Sequence, residues 1–193
     1  MNRLALILLG LTIVLGTACA QQSAWRADPV HSRVEFRVSH MVIAEVTGRF
    51  TAFDVKLTQQ GMEPSAISAA ITAKSVDTDN EARDKHLRSD AFLNAEKDSV
   101  LTFTSTSIKK TGQDTYDVTG DLTIRGTSKP VVLKATYNGS IVDPRGSTRE
   151  GFKATTSINR FDYGVSWDKT LDAGGLVVGK EVDITLLMEF VKQ

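Results

Sequence analysis

Short runs in which apolar and polar residues alternate one by one dominate this sequence after Asp28, and they leave few folds open. Residues 32–40 (SRVEFRVSH) set Val34, Phe36 and Val38 on one face against Arg33, Glu35 and Arg37 on the other. Residues 114–124 repeat the pattern, with Tyr116, Val118, Leu122 and Ile124 opposing Asp117, Thr119, Asp121 and Thr123. Near the C-terminus Val182, Ile184, Leu186, Met188 and Phe190 oppose Glu181, Asp183, Thr185 and Glu189. A period of two marks half-buried antiparallel strands. Further strands are expected near 50–57, 65–75, 99–109, 130–137 and 152–159.

Turn residues separate these runs. Asn138-Gly139 between Tyr137 and Ile141 predicts a hairpin, because both residues tolerate the positive φ of a type I′ turn. Gln60-Gly61, Thr111-Gly112, Arg125-Gly126 and Pro144-Arg145-Gly146 are similar breaks. Residues 79–94 (DNEARDKHLRSDAFLN) predict a helix capped by Asp79 or Asn80, with ion pairs Glu81–Lys85 and Asp84–Arg88. A second short helix is expected over 165–171. No βαβ alternation is present, so about eight antiparallel strands with minor helices predict a single all-β domain, a barrel or a sandwich.

The first residues read differently. Arg3 precedes an apolar run from Leu4 to Gly16 that is too short for a membrane span of roughly 20 residues. Small residues follow it, as in a secretory signal peptide. Ala18-Cys19-Ala20 reads as an A-x-A site, which divides the chain into a signal peptide over 1–20 and a domain over 21–193. Gly16-Thr17-Ala18-Cys19 also approaches a lipobox, but Gly16 stands where Leu, Val or Ile is usual. Soluble export is therefore expected, with membrane association only if Cys19 is lipidated.

Several function classes are disfavoured. With 23 Lys+Arg against 23 Asp+Glu, the chain lacks the basic excess of a nucleic-acid binder. One cysteine precludes a disulfide framework or a Cys-rich metal site. Gly164-Val165-Ser166-Trp167-Asp168 lacks the final glycine of a nucleophile elbow. His31 and His40 are an odd number of residues apart, which puts them on opposite faces of a regular strand, and no metal centre is expected. Arg83, Lys85 and Arg88 read chiefly as a solvated helix face, with contact to a phosphate at a barrel mouth as the alternative.

Six motifs in order resemble the YceI-like proteins, an exported bacterial family. They are Asp28-Pro29-Val30-His31-Ser32 leading to Ser39-His40-Met41; Gly48-Arg49-Phe50, matching a G-x-F turn; and Ser75 to Asn80 with Arg83 to Ser89 and Phe92. Gly120 to Gly126 with Lys129-Pro130-Val131, Asn159 to Gly164, and Val178 to Val182 complete the series. The resemblance implies an elongated eight-stranded antiparallel barrel, lipocalin-like in shape, located in the periplasm. It would hold an isoprenoid or other long-chain lipid, such as an isoprenoid quinone or a polyprenyl phosphate.

In such a barrel the apolar strand faces become the wall. Val34, Phe36, Val38, Phe53, Val55, Ile71, Phe103, Leu122, Ile124, Leu133, Ile158, Ile184, Leu186 and Met188 are the expected lining, and His40 is in phase to meet a head group. The expected function is a non-enzymatic lipid carrier. The alternatives are a stress-response scaffold with a filled interior, and an enzyme using His31, His40 or His86. A homodimer stays open.

Overall fold

A computed structural model describes residues 21–172 and 174–193; the signal-peptide reading of 1–20 lies outside them. The strands are β1 (Gln22–Ala27), β2 (Arg33–His40), β3 (Ala44–Phe50), β4 (Phe53–Gln60), β5 (Glu63–Thr72) and β6 (Val76–Asp77). After helix α1 (Glu81–Arg88) come β7 (Val100–Lys110), β8 (Thr115–Ile124), β9 (Thr127–Val142), β10 (Thr148–Asn159) and β11 (Val178–Lys192).

All pairings are antiparallel, and the sheet closes on itself because β11 bonds to β1 as well as to β10 and β2. Along β11, residues 178–187 meet β2 and residues 190–192 meet β1, so β1 and β2 act as one stave bent at Asp28–Ser32. β3 with β4 and β5 with β6 form two more bent staves, and β7 to β11 supply the other five. The result is an eight-stave up-and-down barrel, as the sequence resemblance implied. Closure leaves no long free edge. At one end lie α1 and residues 160–172 and 174–177; the turns at 61–62, 111–114 and 143–147 mark the far end.

The alternating residues divide as the sequence pattern requires, with Tyr116, Val118, Leu122 and Ile124 of β8 all buried. Gly120 occupies the middle of that inward row, opposite Ser105 on the bulged β7. A Cβ there would collide with the Phe103 ring and lie 2.5 Å from the Thr104 carbonyl oxygen. Arg125 and Gly126, with φ of 52° and 70°, make the two-residue type I′ link between β8 and β9.

Four local expectations are corrected. Asn138-Gly139 is not a hairpin: β9 runs straight through it, and Asn138 is the extra residue of a bulge, since Gly139 pairs with Gly151 and Tyr137 with Phe152. Gly139 takes up the bend with φ of 116°. Gly48-Arg49-Phe50 lies within β3 rather than in a turn, where the bare Gly48 accommodates the Phe36 ring on the paired strand. The helix over 79–94 is shorter, capped by Asn80 Oδ1 accepting from the Arg83 N–H at 3.0 Å and finished at Ser89. Asp84 turns inward to accept from the Thr78 N–H and hydroxyl, so it does not pair with Arg88. Residues 165–171 are not helical; the chain makes a 3-10 turn at Arg160–Tyr163 that Gly164 ends in the left-handed region. The Val165 carbonyl that a helix would use accepts from Arg160 instead.

Outside the wall near the far end, Arg149 gathers three carboxylates. It donates to Asp28 at 2.8 Å, to Asp143 at 2.7 Å and to Glu189 at 2.5 Å, tying the β1–β2 bend to β10 and β11. Arg149, followed by His31, holds the Asp28 carboxyl below its ordinary 3.8, and Arg149 with the Ser147 amide does the same for Asp143.

Two outcomes follow from these contacts. Gly120→Ala should destabilise the barrel by about 1–3 kcal/mol in urea unfolding through overpacking against Phe103. Carboxylates with lowered folded pKa stabilise above their unfolded pKa, and that contribution fades as pH falls. The wild type should therefore lose melting temperature more steeply than Arg149→Met between about pH 5 and pH 3. Parallel pH profiles would show that the cluster is not a source of stability.

Candidate ligand-binding cavity

The inward rows do not fill the barrel. Eight strands enclose a space just wide enough for side chains or for one small ligand, and here several inward positions are small. Ala69, Ala135 and Ala154 border a cavity of about 230 Å³. A site for a single water needs only about 10–15 Å³, so this is far larger than a packing defect. Its walls are almost wholly apolar.

Of the residues expected from the sequence, Val34, Phe36, Val38, Val55, Ile71, Phe103, Leu122, Ile124, Leu133, Ile158, Ile184, Leu186 and Met188 border the cavity. Phe53 and His40 do not. Phe53 starts β4 just past the bend from β3 and packs against the core without reaching the space. His40 keeps the phase of its strand, but as the last residue of β2, paired with Val178 and Ala44, it stands beyond the wall.

Two segments without strand periodicity cap the helix end. Leu87, Phe92 and Leu93 come from α1 and the turns after it, and Tyr163 and Val165 come from the stretch after β10. Phe92 joins these caps: its ring centroid is 4.9 Å from that of His86 and 5.5 Å from that of Trp167. Arg83 and Arg88 do not form a solvated face. Arg83 donates to the Thr78 hydroxyl at 2.8 Å and Arg88 to the Val76 carbonyl at 2.7 Å, bracing α1 against β6. No periodic signal in the sequence marks either cap.

The polar groups differ between the two ends. At the helix end Arg160, only 4% exposed, borders the cavity and donates to the carbonyls of Val165, Gly179 and Val178 at 2.6, 2.8 and 3.0 Å. Burial pushes its guanidinium pKa down, and burial pushes the Tyr163 phenol up. At the far end the buried Gln59 donates to Glu150 at 2.6 Å, and burial raises that carboxyl. There the Tyr116 hydroxyl donates to Glu63 at 2.9 Å.

The three histidines do not converge. His31 lies 3.0 Å from Asp28 outside the wall, His40 ends β2, and His86 packs on Phe92 and Trp167. Asp28, His31 and Glu189 bring metal-ligand atoms within 4.8 Å of one another, but the guanidinium of Arg149 already bridges the two carboxylates.

Phe92 is 6% exposed and connects both caps to the core. Phe92→Ala should destabilise the protein by about 3–5 kcal/mol in urea unfolding and shift the Trp167 emission to the red as water enters. An unchanged emission would place the ring outside the closure.

Comparison with known proteins agrees with this architecture. Protein YceI of Salmonella newport (strain SL254) is 39% identical over 194 residues, covering 100% of this chain and 98% of that protein. The crystal structure of Burkholderia cenocepacia BcnA superposes with a TM-score of 0.74 at 21% identity, covering 84% of this chain and 98% of that one. A polyisoprenoid binding domain from Saccharophagus degradans, implicated in plant cell wall breakdown, superposes at 0.69 with 17% identity, covering 89% and 99%. The sequence model of the YceI-like domain matches residues 25–190, and with a closed eight-stave barrel around an apolar cavity this chain belongs to the YceI-like family.

Proposed function

We propose that this protein is an exported, non-enzymatic carrier that holds a long isoprenoid or related lipid inside its barrel in the periplasm. The cavity carries the reading. Left empty, about 230 Å³ of apolar space costs on the order of 5 kcal/mol relative to a filled core, comparable with the whole stability of many domains, about 5–15 kcal/mol. An apolar chain removes that cost. Each buried CH₂ contributes roughly 0.8 kcal/mol, so one isoprene unit supplies on the order of 3–4 kcal/mol before ordering costs. A few units suffice for tight binding with no specific polar contact. The fold shared with the polyisoprenoid binding domain of Saccharophagus degradans is consistent with such cargo. Export rests on the signal-peptide pattern of residues 1–20.

The scaffold alternative requires a filled interior, which a cavity of this size opposes. The test is mass spectrometry of the organic extract from protein purified out of a bacterial periplasm. About one lipid per barrel is expected, and Leu186→Glu should retain about tenfold less, because an unpaired carboxylate would be buried in the wall. Lys153→Gln, on the outer face, should retain as much as wild type. Protein that is always empty, and stays empty when offered isoprenoid quinones and polyprenyl phosphates, would overturn the reading.

A further inference from the structure

Arg160 is the buried cation among the described residues. Arg149 is met by three carboxylates, whereas Arg160 donates only to carbonyls and lies 4.4 Å from the centroid of the Phe161 ring, with no carboxylate in ion-pair contact among the described residues. They include Val178 and Gly179, where the β11–β2 ladder shifts register. Asp168 acts on it through its field, without an ion-pair contact. A guanidinium has five N–H donors; these contacts use three, leaving one hydrogen on each terminal nitrogen. A desolvated charge without a counter-charge is costly, and an anion brought to it gains correspondingly.

A second group at the same place lacks a partner. Tyr163 is 2% exposed and borders the cavity, yet its hydroxyl makes no hydrogen bond among the described residues. The hydroxyl oxygen itself keeps some accessible surface, since the fully buried unpartnered side-chain atom among the described residues is Arg88 Nε. Thr156, two residues inward of Ile158 on β10, adds a third polar side chain to the same wall. The far end has a different character: the Glu150 carboxyl accepts from Gln59, and Glu63, which accepts from Tyr116, is ion-paired with Lys110.

We propose that Arg160 and Tyr163 form the head-group site of the cavity, and that the bound amphiphile presents an anionic oxygen head, phosphate or carboxylate, to them. This rests on the carrier reading and assigns the lipid its direction: head at the helix end, chain running down the β10 row toward Phe152 and Phe190. Electron-rich oxygens accept the leftover N–H groups and the phenol. The opposite orientation would bring the anion toward Glu150.

The test compares probes that share one C20 chain: geranylgeranyl monophosphate, geranylgeranoic acid and geranylgeraniol, with inorganic phosphate as a chain-free control. In the mature wild-type protein at least one anionic probe should bind about tenfold or more tighter than the alcohol, as a charge-assisted hydrogen bond allows. Inorganic phosphate should not compete at millimolar concentration. Arg160→Gln should bring anion and alcohol to within about twofold of each other. Tyr163→Phe, which keeps the packing, should reduce the preference about threefold and serves alone if Arg160→Gln does not fold.

Equal binding of all three chain probes by wild type would overturn the head-group site and leave the carrier standing. Anion preference that survives both substitutions would also overturn it, as would inorganic phosphate binding as tightly as the lipid anions. Failure of every chain probe to bind would instead sink the carrier itself.

Discussion

The hydrogen bonds that β11 makes on both of its sides are the constraint on which the rest of this structure depends. One side meets β10 from Glu181 to Val191; the other meets β2 and then β1. With the ring shut, each stave has a partner on either side and each side chain points either into one enclosed space or out to solvent. The inward rows must then supply the only sizeable core among the described residues. Because Ala69, Ala135 and Ala154 stand in those rows beside Leu, Ile and Phe, the enclosed volume exceeds what the side chains occupy. The cavity is thus a consequence of closure together with small residues at inward positions.

Closure over bent staves needs fastening where the ladder is interrupted, and two arginines do this in contrasting ways. Arg149 lies outside the wall and holds the Asp28–Ser32 bend through three carboxylates, a contact that water and acid can weaken. Arg160 lies inside and holds the shifted start of β11 through backbone carbonyls, with no acid in ion-pair contact among the described residues. One residue type therefore yields an exterior clasp in one environment and a buried charge facing an apolar space in the other. Only the second creates an electrostatic difference that a ligand can sense.

The strand faces were legible because period two is a direct image of the pleat. Phe36 and Val38, or Leu186 and Met188, could be assigned to the wall from spacing alone. The errors arose where local chemistry serves two structures equally well. Asn138-Gly139 suits a type I′ turn, but its tolerance of unusual φ suits a bulge too, and only pairing with Gly151 decides between them. Asp84 and Arg88 have helix-pair spacing, yet Asp84 is claimed by Thr78, a tertiary partner that spacing does not reveal. β1 escaped notice because Gln22 to Ala27 is short and only Trp25 stands out as a large apolar residue. The caps were illegible for a related reason: Phe92, Tyr163 and Val165 sit in aperiodic segments whose position over the mouth follows from the closed ring.

Apolar walls and polar ends make separable contributions to what such a barrel can hold. Burial of a chain is nearly indifferent to its direction and scales with the area removed from water. It therefore fixes how tightly a ligand sits, and leaves open which end enters first. Direction requires a difference between the ends, and the sequence places one on each side of β10: Glu150 near its start, Arg160 just after its finish. Arg160 is buried and Glu150 half-buried, so their opposite charges are screened less than on the open surface. On the proposed reading, the walls would hold an amphiphile and the groups at the two ends would orient it, without a binding motif that period-two reading would detect.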